Sequence, residues 1–329
     1  MNSLNPVNLF YEEPDNDRWF YGDRYPRRIL RRLVRGRPPV GGHKRTFLNL
    51  CAGLRELGVS FRVNDYRYAR LHPEEGVCIV GKTHVLDKVQ WRNPLVIGSS
   101  IYSHPSDDPG LLQRLPIRKI IVKGPWMRKM CEPYWGDKVV DWAGGIDTEY
   151  WSPVPDQAKD IDVLLYDKVM WDYDRKYPAL VAPMLSLLEK KGLRVVKIRY
   201  GGYKGEDFRS LLRRSRVMIF LSEHETQGHA SLEALSCGVP LLAWDEGGYW
   251  IDPSYYPHKE KFSPVSSVPY WDDRCGMKFK TLKEFSDRLG GFLEKCGRGE
   301  FRPAHVRFRG PHDRRDEKRA DRCGRHRHN

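Results

Sequence analysis

Between residues 217 and 244 the chain runs strand, turn, helix, strand, and that order narrows its architecture more than any other feature. Val217 to Leu221 is a continuous apolar run of the kind a strand buried on both faces requires. A polar turn follows with Glu225 and Gly228, then a helix-forming stretch carrying Glu233 eight positions after Glu225. Gly238-Val239-Pro240 then opens a second apolar run to Trp244. A turn between a buried strand and a helix start attracts anions, because backbone N–H groups and the helix dipole point out of it. Two glutamates beside such a pocket suit a ligand with both phosphate and hydroxyl groups, and a nucleotide sugar is one.

The same alternation fills the rest of the chain. In the first half, Val7–Tyr11, Ser60–Val63, Val77–Val80, Leu95–Gly98, Lys119–Val122 and Val139–Trp142 read as strands. Thr46 to Leu57 has helical spacing, and Trp126–Cys131 is a short helix. In the second half the expected strands are Asp162–Tyr166, Arg194–Ile198, Val217–Leu221 and Val239–Trp244. Helices are expected over Pro178–Lys191, Glu206–Arg214 and Thr281–Lys295. Strands alternating with helices predict an α/β fold, and 329 residues suffice for two cores. The turn-rich stretch Gly144 to Pro153 separates domains at 1–153 and 154–297, with a basic, apolar-poor tail at 298–329 expected to be disordered.

The motif Ser222-x-x-Glu225-x-x-Gly228, continued by Leu232-Glu233-Ala234-x-x-x-Gly238-x-Pro240, resembles the donor-site signature of retaining GT-B glycosyltransferases, the large family 4 in particular. Gly145-Ile146-Asp147 with Trp151 and Pro153 is similar to that family's interdomain linker. The resemblance implies two Rossmann-like domains facing a central cleft, and a last helix that crosses back toward the first domain. It further implies that Glu233 accepts from ribose hydroxyls and that Glu225 lies near the transferred sugar. The N–H groups of Gln227, Gly228 and His229 would face the sugar or distal phosphate.

Leaving-group charge must be neutralised as the glycosidic bond breaks, a task for Arg or Lys where no metal serves. The family places an Arg at the end of the second domain's first strand; Lys168 stands there, and either Arg175 or Lys176 takes the second cationic position. Ordinary surface charge is the competing reading for all three. Gly41-Gly42, before a helix, resembles the glycine loop of the family's first domain. His104 and His84 are the candidates for a first-domain histidine near the sugar, a plain loop histidine being the competing reading. Glu225 is not assigned as a nucleophile, since a departing phosphate oxygen can take the acceptor's proton. No metal ligand set and no cofactor are expected: Asp107-Asp108 and Asp272-Asp273 read as turn residues.

Charge and cysteine usage bear on partners. The net charge of +14 sits in two segments, about +9 over 18–45 and about +6 over 298–329. Arginines between 27 and 37 interleave with Ile29, Leu30, Leu33 and Val34 at helical spacing, which suits either an anionic membrane surface or a solvated helix packed on the domain. No base-reading module accompanies the basic tail, so nucleic acid is not an expected partner. Seven dispersed cysteines without a CxxC pair indicate reduced thiols. Met1 to Leu9 lacks a basic-then-apolar layout, and no apolar run reaches about 18 residues. The expected setting is cytoplasmic, peripheral at the inner face of a membrane. The expected activity is hexose transfer to a hydroxyl of a glycan or lipid-linked acceptor. A protein or nucleic-acid acceptor, or a GT-B domain that binds sugar nucleotide or polyanion without turnover, are the other readings.

Overall fold

A computed structural model describes residues 6–14, 18–35, 41–98 and 101–303. The tail expected from 298 therefore lies outside the described residues from 304 onward. The chain divides into two compact units: one up to residue 123 with 127–140, the other 124–126 with 141 onward.

The first unit contains β1 (Val7–Phe10), α1 (Arg24–Arg35), α2 (Gly42–Glu56), β2 (Phe61–Val63), α3 (Tyr66–Leu71), β3 (Val77–Val80), β4 (Leu95–Gly98), α4 (Leu111–Arg114), β5 (Ile117–Val122), α5 (Pro125–Trp135) and β6 (Val139–Asp141). Its sheet order is β2-β1-β3-β4-β5-β6, with β1, β2, β3, β4 and β5 paired in parallel. Leu9, Tyr11, Phe47, Cys51 and Val80 pack α2 on one face.

The second unit contains β7 (Ile161–Lys168), α6 (Tyr173–Lys176), α7 (Ala182–Lys190), β8 (Val195–Arg199), α8 (Gly205–Arg214), β9 (Ser215–Ser222), α9 (His229–Ser236), β10 (Leu241–Trp244), β11 (Gly276–Phe279) and α10 (Leu282–Gly297). The order is β11-β10-β9-β7-β8, every neighbouring pair parallel. The chain is thus α/β, with two sheets of parallel strands. Side chains alternate across each strand, so the second sheet feeds two cores. Leu164, Tyr166, Met218, Phe220 and Leu241 pack against Phe208 and Leu212 of α8 and Leu235 of α9. Val163, Leu165, Ile219, Leu221 and Leu242 pack against Met184 and Leu188 of α7 and Phe285, Leu289 and Phe292 of α10. Full burial on both faces is why these strands read as unbroken apolar runs, each large side chain contributing about 1.5–3 kcal/mol.

Several elements differ from the sequence expectation. β7 and β9 extend to Lys168 and Ser222 because their polar last residues still pair, Lys168 opposite Ser222. The helix expected from Pro178 begins earlier: α6 runs into a π-turn over Tyr177–Val181 and then α7. Pro178 is tolerated there because it falls at the start of the π-turn. β11 was not expected at all. α9 ends where Gly238, at φ +75°, turns the chain, with its N–H donated to Leu235 O and that of Val239 to Ala234 O.

Candidate functional site in the second unit

Ligands of parallel sheets bind beyond the carboxyl ends of the strands. In the second unit the central neighbours β7 and β9 end side by side, and their last residues and following turns carry the candidate groups. Lys168 Nζ lies 2.6 Å from Glu225 Oε1. Ser222 Oγ, at the end of β9, donates to the same carboxylate oxygen at 3.1 Å and to His224 O at 3.2 Å. Glu225 N donates to Ser266 O at 2.9 Å. The carboxylate is therefore held at its side chain by a cation and a hydroxyl, and at its backbone by a neighbouring loop. Lys168 Nζ also lies 4.4 Å from the centroid of the exposed Tyr200 ring.

The turn leads into α9 through Gly228, the N-cap, at φ +71°. A side chain there would be strained by the left-handed backbone and would meet Ser231 Oγ at 2.8 Å. The side-chain amide of Gln227 is turned to the connector, Nε2 donating to Gly144 O at 2.8 Å. His229 opens the first helical turn, where backbone amides and the dipole favour an anion. Glu233 is 2% exposed within α9, so it is not a solvated helix residue.

The two alternatives for a second cation separate. Arg175 is exposed and pairs with Asp172. Lys176 turns inward and pairs at 2.9 Å with Glu223 Oε1. Glu223 itself was missed by sequence reasoning. It is 6% exposed, accepts from Met170 N at 3.0 Å and Trp171 N at 3.1 Å, and so clamps the segment after β7 onto the end of β9. Its one sequence signal is adjacency, two positions before Glu225. Asp245, at the end of β10, was missed as well: it accepts from Ser267 N at 2.8 Å, Ser266 Oγ at 3.1 Å and Lys278 Nζ at 2.8 Å, ordering the loop that holds Glu225. Asp167, fully buried, pairs with Arg199 and Lys197, each at 3.1 Å, and accepts from Tyr173 OH at 2.8 Å. Half-buried His224 receives Ser222 Oγ on its carbonyl and places Nε2 3.2 Å from Ile251 O. Burial lowers its pKa, only partly offset by that backbone contact and by Glu225 and Glu223.

Residues 182–250 match the family of glycosyl transferases group 1. The matched stretch begins with α7 and includes β9, the glutamate turn, α9 and β10. No curated protein sequence matches the chain. Among solved structures, the chain is similar to the pneumococcal O-GlcNAc transferase GtfA in complex with UDP and GlcNAc, at 11% identity and a TM-score of 0.43. That alignment covers 73% of this chain and 54% of GtfA, so the chain spans about half of GtfA's length. It is similar to WaaG, a glycosyltransferase involved in lipopolysaccharide biosynthesis, at 15% identity, 81% and 90% coverage and a TM-score of 0.45. It is also similar to sucrose-phosphate synthase from Thermosynechococcus elongatus, at 12% identity, 91% and 92% coverage and a TM-score of 0.47.

The remaining sequence candidates belong to the first unit. Gly41 caps α2 without a side-chain bond, and a Cβ at Gly41 or Gly42 would meet nothing within 4 Å. His43, next to them, places Nδ1 2.7 Å from Gly81 O, and burial lowers its pKa. His104 is buried and caps the short turn Pro105–Asp107, with Nδ1 accepting from Ser106 N at 3.2 Å. His84 lies in the turn Thr83–Val85 after β3. Among the described residues, His72, Glu74 and Glu75 form the one trio of metal-ligand type, and Glu75 is already engaged by Asn8 at 3.0 Å and Tyr68 at 2.8 Å.

Proposed function

We propose that the chain is a retaining glycosyltransferase that moves a hexose from a nucleotide-diphosphate sugar to a hydroxyl of a glycan or lipid-linked acceptor. The observation that carries this reading is the Lys168–Glu225 pair at 2.6 Å, at the end of β7 and directly ahead of the amide-rich start of α9. The family match over 182–250 supports it.

In this reading Glu233 takes the ribose hydroxyls and Glu225 the hydroxyls of the transferred sugar. The first-turn amides at Gly228 and His229, together with Lys168, receive the phosphates. The bond between the anomeric carbon and the phosphate oxygen breaks, and negative charge grows on the departing diphosphate. Lys168 and the helix dipole offset that charge where it develops, which is where electrostatic catalysis acts. The acceptor oxygen forms its bond on the face the diphosphate leaves. Its proton passes to the departing phosphate oxygen, so no protein nucleophile or base is needed. Arg or Lys then does the work that a divalent cation does elsewhere, consistent with a metal-independent transfer. Lys176 serves through Glu223, by fixing the segment that follows Lys168.

The test is donor hydrolysis without acceptor across UDP-, GDP- and ADP-hexoses. The expected result is slow turnover of one nucleotide class, reduced by about a hundredfold or more in Lys168→Ala and Glu225→Ala. Turnover unaffected by either substitution removes the assignment.

A further inference from the structure

The most exposed apolar surface of the described residues lies at the start of the chain. Trp19, Phe20 and Tyr21 are each well over half exposed, Tyr21 at 95%. Immediately after them α1 presents Tyr25, Ile29, Leu30 and Leu33, all more than half exposed, Leu33 at 77%. At about 100° per residue these four positions span an arc of roughly 140°. Positions 24, 27, 28, 31, 32 and 35, all arginine in the sequence, fall on the opposite arc. By position alone, the helix is thus divided lengthwise into an arc of apolar residues and an arc of arginines.

The aromatic step is fixed to this helix rather than loose beside it. Asp23, 1% exposed, accepts from Arg18 N at 3.0 Å and Trp19 N at 3.1 Å and pairs with Arg27 at 3.1 Å. The Arg27 guanidinium lies 5.4 Å from the Trp19 ring centroid. One buried carboxylate therefore organises the turn that presents Trp19, Phe20 and Tyr21.

We infer that this aromatic turn and α1 form a docking surface for an anionic lipid bilayer. An arginine-rich face opposite an apolar face bearing aromatics is the arrangement of a helix lying in the membrane interface, its apolar side among the acyl chains and its cations at the phosphates. Trp and Tyr favour that boundary because their rings are apolar and their polar edges stay wet. Charge selects the occupant. Residues 18–45 carry about +9, which repels a second copy of the same surface and attracts lipid phosphate. The inference stands independently of the glycosyl transfer proposed above.

The experiment is sedimentation of the full chain with vesicles of phosphatidylcholine alone or mixed with phosphatidylglycerol. Binding is expected to the mixed vesicles only and to weaken with salt. Arg31→Gln with Arg32→Gln should weaken it about thirtyfold, at about 1 kcal/mol for each arginine. Leu30→Ser with Leu33→Ser should weaken it further while leaving the melting temperature unchanged, since both side chains are exposed. Should that pair fail to fold, Leu33→Cys carrying a polarity-sensitive fluorophore replaces it: a blue shift on mixed vesicles supports insertion, and no shift overturns it. Equal binding to both vesicle types, or binding indifferent to the arginines, overturns the inference. So does a lipid-free dimer that Leu30→Ser with Leu33→Ser dissolves.

Discussion

His224 shows how a single side chain beside the site couples it to pH. Burial lowers its pKa below the ordinary histidine value, with Glu225 and Glu223 pulling the other way and Lys168 reinforcing the drop. A folded-state pKa below the unfolded value means the unfolded chain binds the proton more readily. Stability is then fully present above about pH 6.5, where both states are neutral, and falls as pH drops through that value. The expected outcome is a denaturation midpoint that declines between pH 7 and 5, with a shallower decline in His224→Gln. His43, lowered in the same direction, keeps part of the slope. An unchanged slope in the variant would show that His224 does not titrate this way. At this scale Ser222, Glu225 and Lys168 were legible because motif and strand end are local in sequence. Glu223 was not: its partners Met170, Trp171 and Lys176 lie 53, 52 and 47 positions earlier, and only folding β7 beside β9 reveals that a carboxylate between them is needed. Asp245 escaped notice for the same reason, its partners being a loop and a lysine 21 to 33 positions later.

Elements act on the site through their ends. The Glu223 clamp joins the end of β9 to the segment between β7 and α6, and Glu223→Gln replaces an acceptor facing two backbone N–H groups with an amide that satisfies them only in part. A loss of about 2–3 kcal/mol is expected from denaturant unfolding, within the range for hydrogen bonds to buried charge. A double-mutant cycle with Lys176→Met should give a coupling of about 1–3 kcal/mol, and a coupling near zero would mean the ion pair adds nothing to the clamp. Farther along the sheet, Gly276 opens β11 at φ +141°, and a Cβ there would fall 2.0 Å from Leu241 O on β10. Backbone cannot yield as a flexible side chain can, so Gly276→Ala should cost about 3 kcal/mol or more, read from the same unfolding curve. Wild-type stability in that variant would mean that β10 and β11 do not approach so closely. The central strands were readable because burial on both faces demands continuous apolar runs. β11, four residues with a lysine at the sheet edge, carries no such run. The start of α6 was hidden by Pro178, which ordinarily marks a first helical turn and here sits inside a longer helical stretch through a π-turn.

At the scale of the whole molecule, the two compact units each own a sheet and its core packing, and the donor reading assigns the nucleotide to the second. A ligand that binds only folded protein stabilises it by RT ln(1 + [L]/Kd), about 2.7 kcal/mol at a hundredfold excess over Kd. With separate cores, unfolding need not be two-state, and that stabilisation can fall on one unit more than the other. A nucleoside diphosphate without its sugar isolates the groups assigned to ribose and phosphate: Glu233, Lys168 and the first turn of α9. Hydrogen exchange with UDP, GDP and ADP should therefore slow at amides of residues 166–176 and 222–236 for one base. β1 to β4 should exchange as in the free protein. Slowing confined to β1 to β4 and the start of α2 would move the nucleotide to the Gly41-Gly42 side and end the role assigned to Glu233. Slowing for all three bases alike would leave the phosphate contacts in place and show that the base is not read.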